Sequence, residues 1–149
     1  MHAATTFTHL QDDKALHDAY HVMQELRPHL SSTSAFIIRI RRQQQQGYRL
    51  LAAVQDGAIA GLAGYRTQEN LMYGAFVYVD DLVVTGRFRS AGVGAKLLDA
   101  VREQARELGC SHFVLDTGLH MALAQRFYFR QGLLARGMHF VEPLASREA

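Results

Sequence analysis

The sequence predicts an α/β (α+β) fold: a single domain over residues 1–149, built on a mixed sheet of six or seven strands with helices on both faces. Three observations carry this. Strand-like runs follow one another through the first half and alternate with helical runs in the second, which implies both antiparallel and parallel pairs. Residues 92–108 are strongly amphipathic at helical spacing. At 149 residues the chain fits one domain and can bury about 70% of the surface its unfolded form exposes.

Along residues 12–27 the apolar positions Ala15, Leu16, Ala19, Tyr20, Met23 and Leu26 recur at helical spacing. Pro28 closes that helix, because proline disfavours helical geometry in the residue before it. Ser31 to Ser34 offer N-caps for a second helix carrying Phe36, Ile37 and Ile40, which Gly47 ends. Residues 48–55 and 58–67 read as strands joined by Asp56-Gly57, a strong hairpin signal. A third strand, rich in Val, Tyr and Phe, runs from about residue 72 to residue 84. The helix over 92–108 presents Val93, Leu97, Leu98, Val101, Ala105 and Leu108 on one face and stops at Gly109, a favoured C-cap residue. Residues 112–116 form a short strand, 122–130 a helix and 134–141 a final strand.

A net charge of +2 is too small to argue for nucleic acid. Arg39, Arg41 and Arg42 read as the solvated face of the second helix. The lone cysteine, Cys110, rules out an internal disulfide and fits a reducing compartment. The N-terminus shows no basic segment leading into an apolar run, and nothing approaches the roughly 18 apolar residues of a membrane span. The expectation is a cytoplasmic protein with neither a membrane nor a nucleic-acid partner. His17 and His21 stand one helical turn apart, as metal ligands can, but no third ligand accompanies them. A solvated helix face is the plainer reading, and no metal is expected.

The most informative stretch is the hydrophobic strand over 79–84 and the loop after it, which carries Gly92 and Gly94 and opens the amphipathic helix. A helix N-terminus offers unpaired N–H groups and a positive partial charge, and glycine lets a phosphate approach the backbone. Arg87 and Arg89 add positive charge at the same end. The nucleotide-triphosphate loop is absent, because no Lys-Ser/Thr follows either glycine. The dinucleotide pattern fails because Leu97 stands where its third glycine belongs. Close packing of helix on sheet would also explain both glycines.

Arg89-Ser90-Ala91-Gly92-Val93-Gly94 resembles the Arg/Gln-x-x-Gly-x-Gly/Ala signature of the Gcn5-related N-acetyltransferase (GNAT) family. Ala124-Gln125-Arg126-Phe127-Tyr128-Phe129-Arg130-Gln131-Gly132-Leu133 is similar to that family's later segment, Ala-x-x-Phe/Leu-Tyr-x-x-x-Gly-Phe. The order of elements resembles the family's from about residue 5 to residue 142. Two departures stand out: Met121 where the family often has asparagine, and Leu133 for the usual phenylalanine.

The resemblance implies acetyl-coenzyme A (acetyl-CoA) as co-substrate, its pyrophosphate cradled by Arg89, Ser90, Ala91, Gly92, Val93, Gly94 and Ala95. It implies that the main chains of Leu82, Val83 and Val84 pair with the pantetheine arm and polarise the thioester, a preorganised donor being a large catalytic term. Tyr128 takes the place of the family's general acid toward the sulfur, although Phe127-Tyr128-Phe129 also reads as helix packing. Asp80 and Asp81 resemble the acidic residues of spermidine/spermine acetyltransferases, which serve as water-mediated base and amine anchor. A regular strand turns only one of the two toward a cleft, and a bulge changes which; Asp81 is slightly favoured. A strand-end salt bridge to an arginine is the alternative. Asp116 ends the next strand, where it lines the same cleft or caps a turn, and His120 and His139 are weaker base candidates.

The expected reaction moves an acetyl group to a primary amine, that of a small molecule, by direct attack on the thioester. A protein lysine or N-terminal amine as acceptor, and a non-catalytic acetyl-CoA-binding regulatory module, stay open. Many members of the family dimerise, which admits a homodimer here.

Overall fold

Element boundaries fall where local chemistry sets them. The computed structural model describes residues 4–145, which form two compact units dividing after Asp116. Residues 1–3, which belong to the N-terminal stretch read for a leader segment, lie outside the described residues. In the first unit β1 (Thr6–His9) is followed by helices α1 (Asp13–Leu26) and α2 (Thr33–Gln44). Strands β2 (Tyr48–Gln55), β3 (Ala58–Asn70) and β4 (Gly74–Val84) come next, then a 3-10 turn (Gly86–Phe88), α3 (Val93–Glu107) and β5 (His112–Leu115). The second unit carries α4 (Ala122–Arg130).

Asp12 caps α1 by accepting the Ala15 N–H at 2.8 Å, and Ser32 caps α2 by accepting that of Ala35 at 3.1 Å. Asp56 (φ 55°) and Gly57 (φ 74°) are both left-handed, as a two-residue hairpin turn requires.

The sheet has five strands in the order β1-β2-β3-β4-β5, antiparallel except for the parallel pair β4–β5. Five replaces the six or seven expected, and two segments depart from the sequence reading. β1 escaped the sequence reading because it is a four-residue edge strand with three of its residues exposed. Residues 134–141, expected to form a final strand, are irregular, and Leu134, Met138 and Phe140 among them are exposed. Apolar spacing gives a segment the side chains of a strand, but a strand exists only where its backbone finds a ladder partner, and Gly137 weakens the run further.

Helices cover both faces of the first unit's sheet. On one face α1 and α2 bury Leu16, Tyr20, Met23, Phe36 and Ile40 against Leu50, Leu62 and Val83. On the other α3 buries Val93, Leu97 and Val101 against Leu51, Ala63, Val77 and Val79. No described helix is long and apolar enough to cross a membrane.

The β3–β4 ladder contains one irregularity. Tyr65 pairs with Val79 but its neighbour Gly64 pairs with Asp81, so Asp80 is an extra residue with no partner on β3. The parity of β4 changes across it: Val77 and Val79 face α3, then Leu82 and Val84 do, while Val83 joins the α1–α2 side. A bulge of this kind bends the strand that carries it.

Candidate active site

Past the bulge, β4 is open on its far side. β5 pairs with β4 only from Phe76 to Val79, so residues 80–84 have no strand neighbour there among the described residues. The Thr85 N–H bonds the Ala60 carbonyl at 2.9 Å, and antiparallel ladders alternate. Val83 therefore turns its N–H and carbonyl toward β3, whereas Leu82 and Val84 turn theirs toward the open edge. Of the three main chains singled out in the sequence, two reach that edge.

The strand leads into the glycine loop. Ser90 (φ 70°) and Gly92 (φ 78°) both adopt left-handed backbone, a conformation costly for serine and natural for glycine. Gly92 is the N-cap of α3; it has no side chain to cap with, and the first turn holds no acidic residue. Its carbonyl accepts the Lys96 N–H at 3.2 Å. The N–H groups of Gly92, Val93, Gly94 and Ala95 are thus the helix's unpaired donors, under the positive end of a 15-residue dipole. Such an array of main-chain donors is able to hold an anion. Arg89 stands beside it, its Nε donating to the Val84 carbonyl at 3.2 Å.

Asp80 and Asp81 are brought to the same face by the bulge, where each meets an arginine. Arg27, the C-cap of α1, donates to Asp81 Oδ1 from Nε at 3.0 Å and from Nη2 at 2.8 Å, while Tyr48 donates to Oδ2 at 2.8 Å. Both oxygens of Asp81 are therefore engaged. Asp80 accepts from Arg66 Nε at 2.8 Å through Oδ2 only, and its Oδ1 makes no hydrogen bond among the described residues. Burial pushes the Asp80 carboxyl above its usual range; Arg66 pulls it back, and burial wins. Tyr48 is raised further still, first by burial and then by the Asp81 charge, so its phenol stays a donor.

The remaining candidates divide between the units. Asp116, just past β5, accepts a hydrogen bond from Tyr78, whose phenol is raised chiefly by burial. Tyr128 lies in the second unit, on α4, beside Phe127 with ring centroids 5.5 Å apart. Its hydroxyl makes no hydrogen bond among the described residues, and burial raises its pKa. His120 and His139 also belong to the second unit.

Sequence reasoning passed over Arg27, Tyr48, Arg66 and Tyr78. Their contacts with Asp80, Asp81 and Asp116 span 14 to 54 residues, beyond any local pattern. One local signal existed: Gly64, an isolated glycine inside a strand run, is a mark of a bulge.

Comparison with known proteins identifies the family. The acetyltransferase (GNAT) family matches residues 15–133. An N-acetyltransferase of Bacillus subtilis (strain 168), named as uncharacterized N-acetyltransferase YhdJ, is 33% identical over 112 residues, 74% of this chain and 78% of that protein. The aminoglycoside N-acetyltransferase AAC(6')-Iy, solved in complex with CoA, superposes with a TM-score of 0.85 at 16% identity, covering 98% of each chain. A ribosomal-protein-alanine N-acetyltransferase of Brucella melitensis gives 0.81 at 18% identity over 95% of this chain and all of that one, so at this level the likeness is one of fold. The family match spans most of the chain and includes both the glycine loop and α4, and on that ground the chain belongs to the acetyltransferase (GNAT) family.

Proposed function

We propose that the two units make up one N-acetyltransferase domain, which takes the acetyl group of acetyl-CoA to the primary amine of a small, cationic molecule. One observation carries the reading. The α3 N-terminus has four unpaired N–H donors and no capping side chain, and it follows directly on the open edge of β4. A diphosphate fits the first and an amide-bearing arm fits the second, since Leu82 turns both main-chain groups and Val84 its N–H to the open edge, the Val84 carbonyl being taken by Arg89. Acetyl-CoA would supply the activated thioester; the chain's own groups supply the rest.

Within this reading the Leu82 and Val84 N–H groups orient the thioester and polarise its carbonyl, acting as fixed donors where negative charge develops. Asp80 is the base. Its Oδ1 takes the amine proton directly or through one water, and its negative charge draws an ammonium to the site. Asp81 holds α1 against β4 through Arg27 and Tyr48. Tyr128, protonated throughout the neutral range, gives its proton to the departing sulfur. The small acceptor is supported by the neighbour named for aminoglycosides, and a cationic one by the carboxylates of Asp80 and Asp116. A cytoplasmic location fits the lone Cys110.

Thermal unfolding with and without acetyl-CoA tests the foundation. Ligand that binds only the folded state raises the midpoint, and the rise should vanish in a still-folded Gly92→Glu. A protein whose midpoint does not move at about 1 mM ligand is not an acetyl-CoA enzyme. Release of free thiol on addition of an amine then checks the transfer itself.

A further inference from the structure

Glu25 stands in the last turn of α1, where the helix dipole disfavours a carboxylate. It is nonetheless fully engaged. Its Oε2 accepts the Thr85 hydroxyl at 2.6 Å, and its Oε1 accepts the Gly86 N–H at 3.2 Å and Arg89 Nη2 at 3.4 Å. Two of these partners fix the start of the loop. The third is the one arginine inside the anion cradle's own motif, and it is held at the same time on the Val84 carbonyl. The carboxylate and the guanidinium are both partly exposed, 35% and 64%, so the pair is one an incoming anion can reach and exchange.

We propose that Glu25 is a positioning residue for the cofactor loop: it holds Arg89 against the open edge of β4 and yields it to an incoming diphosphate. The inference rests on the acetyl-CoA reading of the same site. It separates two roles of one side chain. The hydrogen bonds to Thr85 and Gly86 set the loop, whereas the charge competes with the ligand for Arg89. Binding of the cofactor thus also releases one tie between the loop and the end of α1, the segment that carries Arg27 and through it Asp81.

Titration calorimetry with CoA on the full chain tests this, comparing wild type, Glu25→Gln, Arg89→Gln and the double variant. Glutamine keeps its one acceptor oxygen for the Gly86 N–H, and its amide nitrogen can donate to the Thr85 hydroxyl, which turns to accept, so both contacts can persist without the charge. Arg89→Gln keeps a residue the family signature admits. Glu25→Gln should tighten CoA binding about two- to fivefold, the worth of a partly exposed ion pair. In the Arg89→Gln background the same change should leave Kd unmoved, a coupling that a purely structural glutamate would not produce. Unchanged or weaker binding in Glu25→Gln, or an equal gain in both backgrounds, overturns the inference while leaving the acetyl-CoA reading intact. Wild-type protein that fails to bind CoA overturns both.

Discussion

The hydroxyl of Tyr48 occupies the space that a side chain on Gly64 would need: a Cβ built there would lie 1.8 Å from the Tyr48 oxygen. Gly64 faces the bulge, and its missing side chain lets the buried phenol cross β3 and reach Asp81 on β4. Gly64→Ala must displace the ring and break that bond. Overpacking and the loss of a hydrogen bond to a charged group together put the cost at about 3 kcal/mol or more. Chemical denaturation measures it. A cost below about 1 kcal/mol would mean that Tyr48 has somewhere else to go.

Asp81→Asn should act on stability first. It leaves Arg27 without its carboxylate and weakens the Tyr48 bond, for a loss of about 1–3 kcal/mol in denaturant unfolding. Arg27 is 43% exposed, and solvent compensates it in part, which keeps the loss below that of a fully buried pair. The variant should keep most of its turnover per folded molecule. A thousandfold drop in a still-folded Asp81→Asn would move the base from Asp80 to Asp81.

Asp80→Asn should behave in the opposite way, lowering kcat by about 10²- to 10⁴-fold, the usual contribution of a general base. The base works ionised, so the acid limb of the kcat/KM profile should lie above the ordinary aspartate value of about 3.9, because burial raises the carboxyl. The stability consequence has a definite sign. With a folded pKa above the unfolded one, the folded state binds more protons between the two values, so stability falls as pH rises through that window and is level above it. Unfolding midpoints taken from about pH 4 upward should show the decline in wild type and lose it in Asp80→Asn.

Tyr128→Phe removes one hydroxyl with no hydrogen-bond partner among the described residues, so its stability cost should stay under about 1 kcal/mol. If the phenol is the acid, kcat falls by about 10²- to 10⁴-fold while the Kd for CoA holds. Burial raises the phenol, so the alkaline limb of wild type should lie above about pH 10. An undiminished kcat would return Phe127-Tyr128-Phe129 to packing alone.

What could be read in advance divides by range. Helix and turn boundaries were legible because their causes are local: Asp12 and Ser32 cap within three residues, and Asp56-Gly57 turns within two. The placement of the glycine loop between a strand and a helix was legible for the same reason. The strand count was not, since Thr6–His9 and residues 134–141 differ in whether a partner strand reaches them, which side-chain spacing does not encode. Nor was the division of labour between Asp80 and Asp81 legible. It follows from a register shift against Gly64 and from arginines on α1 and β3, all of them tertiary facts.

Asp80 can also be viewed as a matter of counting. Val79 and Leu82 face the same layer although three steps separate them, so β4 holds one residue more than its faces need. Excising that supernumerary residue would restore strict alternation and leave Leu82 and Val84 packed on α3. The hydrophobic pattern would be satisfied without it. The bulge in this protein is thus an insertion of length one, and the side chain carried by the inserted residue is the carboxylate left with an oxygen to spare.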